Sequence, residues 1–323
     1  MEPSRPWQRE LAGAIRTAEA LCALLDLDST QFPMPQTGKN FPLRVPRGYV
    51  ARIVSGDPND PLLLQVLPSC AEDVTSPGYG NDPVGDLDAR VAPGVLHKYH
   101  GRVLLIATGA CPIHCRYCFR RYFPHEHLDW DAAMAYLTAH PDIQEVVLSG
   151  GDPLSLPDRQ LAALNERLAT IPHLRRLRIH TRMPVVLPER VDDALIAWLT
   201  QGRLRKVMVL HINHPHELDE KVRGACTALI RAGVVLLNQS VLLRNINDRV
   251  EILATLSEAL FEAGVTPYYL HLLDAVQGAA HFSVSATFAM GLMEELRIRL
   301  PGYLVPRLVQ ESAGALAKVT VDC

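Results

Sequence analysis

The hydrophobic pattern changes rhythm near residue 100. Before it, apolar Leu11, Ile15, Leu21 and Leu25 recur near helical spacing and predict a helix over 7–25. A second helix is expected over 48–55, after Pro46, and residues 56–95, rich in Pro, Gly and Asp, read as loop with short helical turns. From residue 102 onward, apolar runs of strand length fall at 102–108, 145–149, 177–180, 206–212, 234–241 and 268–273. Helical patterns fill the intervals near 129–140, 158–170, 190–201, 216–232, 248–264 and 285–299. Strands alternating with helices imply βαβ units and a parallel sheet with right-handed crossovers. Six units are fewer than the eight of a closed barrel. The expected fold is therefore α/β: an open six-stranded (β/α)6 partial TIM barrel over 96–323, with a mostly helical N-terminal extension over 1–95 wrapped on it. A doubly wound sheet is the alternative.

Polar residues fall where a core would not choose them, at the ends of the apolar runs. The first run ends in Thr108-Gly-Ala-Cys111, the second in Ser149-Gly-Gly-Asp-Pro153, and the third in His180-Thr-Arg182. The fourth ends in His211-Ile-Asn-His214, the fifth in Asn238-Gln-Ser240, and the sixth in His271-Leu-Leu-Asp274. In parallel barrels the C-terminal strand ends form the active-site face, so six such clusters describe a site large enough for more than one ligand. Helix capping accounts for some of this polarity.

Composition narrows the class. The 32 basic and 35 acidic residues of the 323 give a net charge of −3, with no basic excess to attract nucleic acid or a membrane surface. No apolar run approaches the roughly 20 residues of a membrane span. The N-terminus has no apolar core of a secretory signal. A cytoplasmic protein is the expectation.

The seven cysteines include three within eight positions, Cys111-Pro-Ile-His-Cys115-Arg-Tyr-Cys118. In a reducing compartment such crowding points to metal or redox chemistry rather than disulfides. Thiolates suit zinc or iron–sulfur centres, but a zinc ribbon needs a second cysteine pair, and none follows. Three thiolates on a cubane leave one iron open to another ligand. Buried thiols or an incomplete zinc site are the alternatives on spacing alone. Cys22, Cys70, Cys226 and Cys323 are scattered and read as structural.

The C-x3-C-x2-C loop after the first barrel strand resembles that of the radical S-adenosylmethionine superfamily, and Ser149-Gly-Gly-Asp-Pro153 resembles its glycine-rich strand end. The resemblance implies that Cys111, Cys115 and Cys118 hold a [4Fe–4S] cluster. Its fourth iron would chelate S-adenosylmethionine, which Gly150, Gly151 and Asp152 would contact. More narrowly, Cys115-Arg-Tyr-Cys-Phe-Arg-Arg121, His180-Thr-Arg-Met-Pro-Val-Val-Leu-Pro188, His211-Ile-Asn-His-Pro215, Asn238-Gln-Ser-Val-Leu-Leu243 and His271-Leu-Leu-Asp-Ala-Val-Gln-Gly-Ala-Ala-His-Phe282 are similar to the lysine 2,3-aminomutases, from about Phe41 to Lys318. The short chain, Leu43-Arg-Val-Pro-Arg47, Pro93-Gly-Val-Leu-His-Lys-Tyr-His100 and Gly302-Tyr-Leu-Val-Pro306 resemble the branch that supplies β-lysine for elongation factor P.

That family carries pyridoxal 5'-phosphate as a Schiff base on a lysine, a position Lys318 matches. Arg120 matches the arginine that binds the substrate carboxylate. Asp274 and Glu311 match the acidic pair for its ε-ammonium group, with glutamate at 311 where catabolic relatives carry aspartate. His211, Gln239 and Arg102 are the expected contacts of the pyridoxal phosphate group. Arg182 and His180 are expected on the S-adenosylmethionine side, and Arg121 at the surface. Only Gly314 remains of the glycines that relatives carry before the lysine. The implied activity is an isomerase moving the amine of L-lysine from C2 to C3. It would take its electron from an external donor and pass β-lysine to a lysyl-transferring enzyme of elongation factor P. A catabolic aminomutase acting on free lysine or another amino acid, and a non-catalytic metal-stabilised binding protein, are the competing readings.

Overall fold

A computed structural model describes residues 5–36, 41–124 and 128–322; Cys323 lies outside them. Ten strands form one sheet in chain order: β1 (Arg90–Ala92), β2 (Val95–Tyr99), β3 (Arg102–Thr108), β4 (Glu145–Gly150), β5 (Arg176–Thr181), β6 (Arg205–Leu210), β7 (Val235–Val241), β8 (Thr266–His271), β9 (Arg307–Gln310) and β10 (Val319–Thr320). Pairings from β3 through β9 are parallel. Antiparallel partners flank them, β1 and β2 beside β3 and β10 beside β9. The six expected strands β3–β8 are present, each followed by a helix, as in a partial (β/α) barrel. A seventh parallel strand, β9, extends it.

The helices sit where periodicity places them. Asp158–Ala169 buries Leu161, Leu164 and Leu168, one stripe at helical spacing. Side chains cap four others: Asp129 accepts from the amides of Asp131 and Ala132, Asp192 from Leu195, Asp219 from Val222 and Ser285 from Phe288. Each cap satisfies amides that the first helical turn leaves unpaired.

The extension departs from expectation in two places. The single helix expected over 7–25 is two helices, Pro6–Ala12 and Ala18–Leu24. Between them Ile15 exchanges both backbone hydrogen bonds with Val45, and Thr17 caps the second helix. A long-range pairing thus overrides a local periodicity that runs straight across the break. The expected helix over 48–55 is one turn, Arg47–Val50. Residues 56–95 do hold short helical turns, Pro61–Leu64 and Cys70–Asp73, but also β1 and the start of β2. The position taken as the boundary, 95/96, lies inside β2. Trp7, Leu21, Val45, Tyr49 and Leu62 belong to the same buried cluster as Leu105, Leu148 and Ile179 of the barrel strands. No helix among the described residues is long and apolar enough to cross a membrane.

Candidate active site

The parallel strands enclose a cavity of about 760 Å3 that reaches from their C-terminal ends to Arg102, Glu145 and Arg176 at the starts of β3, β4 and β5. Every residue singled out from sequence lines it: Cys111, Cys115, Cys118, Gly150, Gly151, Asp152, Arg182, His211, Gln239, Arg102, Arg120, Asp274, Glu311 and Lys318. Two poles are distinct.

The first pole is the cysteine loop after β3, held from beneath by the N-terminal extension. His114 places Nδ1 2.7 Å from the Pro42 carbonyl and donates its amide to Arg44, while the Arg116 amide donates to the Gln65 carbonyl. The Arg116 guanidinium, fully buried, grips both carboxylate oxygens of Glu72. Arg121 donates to the same carboxylate at 2.6 Å and is buried, not at the surface as expected. Burial would raise Glu72, but the two guanidiniums outweigh it and hold its pKa below the ordinary range. Cys111, Cys115 and Cys118 are free thiols. Burial, reinforced by the neighbouring thiols, pushes Cys111 well up and Cys118 up to about 11. These are groups that ionise when a metal's positive charge arrives, as cysteine ligands do. Among the described residues no three His, Cys, Asp or Glu close on a point that one ion would fill; a cubane spreads three thiolates over three irons.

The glycine pair at the end of β4 closes against this loop. A Cβ on Gly150 would lie 2.7 Å from the Thr108 carbonyl oxygen, and one on Gly151 would strike the Ala110 carbonyl. Gly150 also takes φ +114°, which side chains rarely adopt. Two bare backbones thus reach the cysteine loop. Asp152 beside them is fully committed: its carboxylate accepts from Thr181 Oγ1 and from the amides of Leu154, Arg182 and Met183. Its side chain braces the strand ends, leaving the glycine backbone as the surface offered to a ligand.

The second pole is a chain of alternating charges. Lys318 Nζ lies 2.8 Å from Glu311, Glu311 3.1 Å from Lys98, Lys98 2.7 Å from Asp86, and Asp86 2.8 Å from Arg120 Nε. Arg120 NH1 donates to Ser149 Oγ, tying this pole to the glycine strand. Burial opposes ionisation of Glu311, but Lys318 and Lys98 hold it down to about 2. Asp86 is likewise held low, against burial, by Arg120 and Lys98. Asp274 differs: burial, then repulsion from Glu311, raises it to about 7, and its Oδ1 has no hydrogen-bond partner among the described residues.

Three imidazoles line the cavity, with His271 buried and His180 and His211 partly exposed to it. Gln239 Nε2 lies 2.9 Å from His211 Nε2, and the rings of His180 and His211 meet edge to face. Burial pushes His211 down to about 3 and His180 and His271 well below the usual range, so all three are neutral. The Nε2 atoms of His180 and His271 lack partners among the described residues. Arg176 and Arg178 are already paired with Glu145, whereas the Arg102 guanidinium rests 4.6 Å from the Tyr99 ring centre. Of these three guanidiniums, Arg102 alone has no carboxylate partner among the described residues.

Lys98, Asp86, Glu72 and Glu217 were not singled out from sequence. Asp86 and Glu72 lie in a stretch that reads as solvated loop, and only the fold shows them buried at 2% exposure.

The Radical SAM superfamily model matches residues 105–256. An L-lysine 2,3-aminomutase of Escherichia coli is 47% identical over 99% of this chain and 96% of that protein. One of Haemophilus influenzae is 46% identical over 95% of this chain and 93% of its own. One of Clostridium subterminale is 34% identical over 98% of this chain and 77% of its own.

Proposed function

The chain belongs to the L-lysine 2,3-aminomutase family of radical S-adenosylmethionine isomerases, and from that premise we propose that it depends on pyridoxal 5'-phosphate carried by Lys318 and makes β-lysine for elongation factor P. The observation that carries the pyridoxal reading is Lys318 itself. This lysine projects into the cavity beside a paired glutamate and faces neutral imidazoles with unpartnered nitrogens. When bound, the cluster and S-adenosylmethionine supply a 5'-deoxyadenosyl radical, and pyridoxal phosphate supplies a carbonyl for the amine and a ring that spreads the unpaired electron.

The chain's own residues divide the remaining work. Cys111, Cys115 and Cys118 ligate the cluster, and the backbone of Gly150 and Gly151 admits S-adenosylmethionine close to it. Arg102 meets the phosphate charge, with His211 and Gln239 as neutral hydrogen-bonding partners. Arg120, whose NH1 faces Ser149, binds the substrate carboxylate in the two-pronged manner of a guanidinium. Asp274 and Glu311 receive the ε-ammonium group. Enclosure by seven parallel strands orients the substrate and keeps water from the reacting carbons. The elongation factor P link rests on the short motifs at 43–47, 93–100 and 302–306, and includes a cytoplasmic location and an external electron donor.

The test is product formation without oxygen. Protein reconstituted with iron and sulfide receives pyridoxal phosphate, S-adenosylmethionine, a reductant and L-lysine, and β-lysine is sought chromatographically. β-Lysine that forms only with pyridoxal phosphate present supports the reading; β-lysine formed equally without it overturns the cofactor assignment.

Asp274 gives a pH signature. In the free enzyme its carboxyl, facing Glu311, Lys318, Lys98 and Asp86, is half ionised near pH 7. Below that it is neutral and offers no charge to the lysine side chain, whose ammonium stays protonated to about pH 10. The KM for lysine therefore rises as pH falls through 7, by up to about tenfold per unit well below it. Asp274→Asn flattens this limb and raises KM at pH 8, measured as initial rates from pH 6 to 8.

A further inference from the structure

Arg182 directly follows β5 and is 4% exposed, and one of its contacts is the cysteine loop. Its NH1 donates to Cys115 Sγ at 2.7 Å. Its NH2 is shared among Glu217 at 2.7 Å, the Gln65 carbonyl oxygen of the side chain at 2.7 Å and the Tyr49 hydroxyl at 3.3 Å. Glu217 is fully buried and in turn accepts from the amides of Asn213 and His214, so the anchor is rigid. A guanidinium is always charged and carries five donors in a fixed fork. One tine is therefore aimed at a cluster-ligating sulfur while the other is pinned by groups from the barrel and the N-terminal extension.

We propose that Arg182 is a positioning residue for the iron–sulfur cluster: its NH1 fixes the Cys115 sulfur and raises the potential at which the cluster takes up its electron. Hydrogen bonds to cluster sulfurs set reduction potential, and a cation beside Cys115 stabilises the form that carries one more negative charge. The electron comes from the external reductant and stays on the cluster until S-adenosylmethionine accepts it. Tyr49 and Gln65 give the N-terminal extension a chemical part in this, since they hold the arginine that holds the sulfur.

The proposal rests on the cluster reading, so iron and sulfide content of the wild-type protein is measured first; a chain without a cluster fails that reading, not this one. Reconstituted protein free of S-adenosylmethionine is then reduced stepwise with dithionite, and the reduced cluster is followed by electron paramagnetic resonance. Arg182→Lys keeps a cation for Glu217 but loses the fork. Its midpoint is expected to fall by at least a tenfold change in the reduction equilibrium, about 59 mV for one electron, at full iron content. An unchanged midpoint at full iron content overturns the proposal. Should the variant fail to assemble a cluster, wild-type protein labelled with nitrogen-15 in arginine decides. A resolved coupling of the reduced cluster to a guanidinium nitrogen supports the contact, and absence of any such coupling overturns it.

Discussion

Lys318→Ala is expected to abolish turnover, by at least about 10³-fold, and to lose the visible absorbance of the pyridoxal Schiff base while keeping the fold and the cluster. A covalent attachment point has no substitute within reach, and removal of a group that acts covalently costs orders of magnitude rather than a fraction. The position is set by the β9–β10 pairing. Val319 lies opposite Gln310 and Thr320 opposite Val309, which brings the preceding Lys318 against the following Glu311. Gly314 in the connecting loop takes φ +74°, and a Cβ there would meet nothing within 4 Å. The single retained glycine thus serves backbone conformation, not space, and suffices to turn the chain. Loss of the lysine does not strand the glutamate, because Lys98 remains 3.1 Å from it. Lys318→Arg separates charge from covalent chemistry: it keeps a cation for Glu311 and still forms no Schiff base. Both variants should lack the absorbance band and the product. Retention of the band in either one would overturn the assignment of Lys318.

The barrel was legible in the sequence because its strands and helices are specified locally. Strands β3–β8 are apolar runs of the right length, and the helices between them carry stripes such as Leu161, Leu164 and Leu168 or start at capping aspartates such as Asp129, Asp192 and Asp219. What escaped is built from pairing at a distance. β1 and β9 have three and four residues, too short for any periodicity, and exist only because a neighbour offers its edge. The break at Gly13–Thr17 is decided by Val45, some thirty residues away. The site divides the same way. Cysteines and glycines announce themselves by spacing, and the substrate and pyridoxal residues came from the resemblance. Asp86 lies in no motif, and Lys98 lies in one, 93–100, that names no role for it; they matter because folding buries them between Glu311 and Arg120, where a charge must find an opposite partner. Arg182 was noticed for its place at a strand end, but its contact with Cys115 is a fact of three dimensions.

Cys115→Ala is expected to remove the cluster and take β-lysine formation to background, whereas Cys226→Ala should leave both intact. The contrast separates two kinds of buried thiol. Cys226 sits inside the helix Glu220–Arg231, within the apolar core, and burial raises its thiol to about 11. It behaves as a small hydrophobe, and its truncation costs a modest cavity, on the order of 1 kcal/mol. Cys115 lies on the irregular loop after β3 and faces the cavity, with Cys111 and Cys118 beside it and Arg182 behind. On the proposed ligation, loss of its sulfur would leave one iron without its protein ligand. The Arg182 fork then points at a methyl group, which accepts nothing. Iron and sulfide per chain, the visible absorbance of the reconstituted protein and chromatographic β-lysine measure the outcome. Full iron content and turnover in Cys115→Ala would refute the ligand assignment. A zinc-stabilised protein predicts something else again: one zinc per chain in the wild type, lost on mutation, with no β-lysine in either. Thermal stability decides how the cysteine loop is held. Its backbone is fastened by Arg116, Glu72 and Gln65 independently of any sulfur, so apo Cys115→Ala should keep the loop in place and unfold below apo wild type only by the cost of the unpartnered Arg182 donor, about 1–3 kcal/mol, and the gap should widen once iron is bound to the wild type.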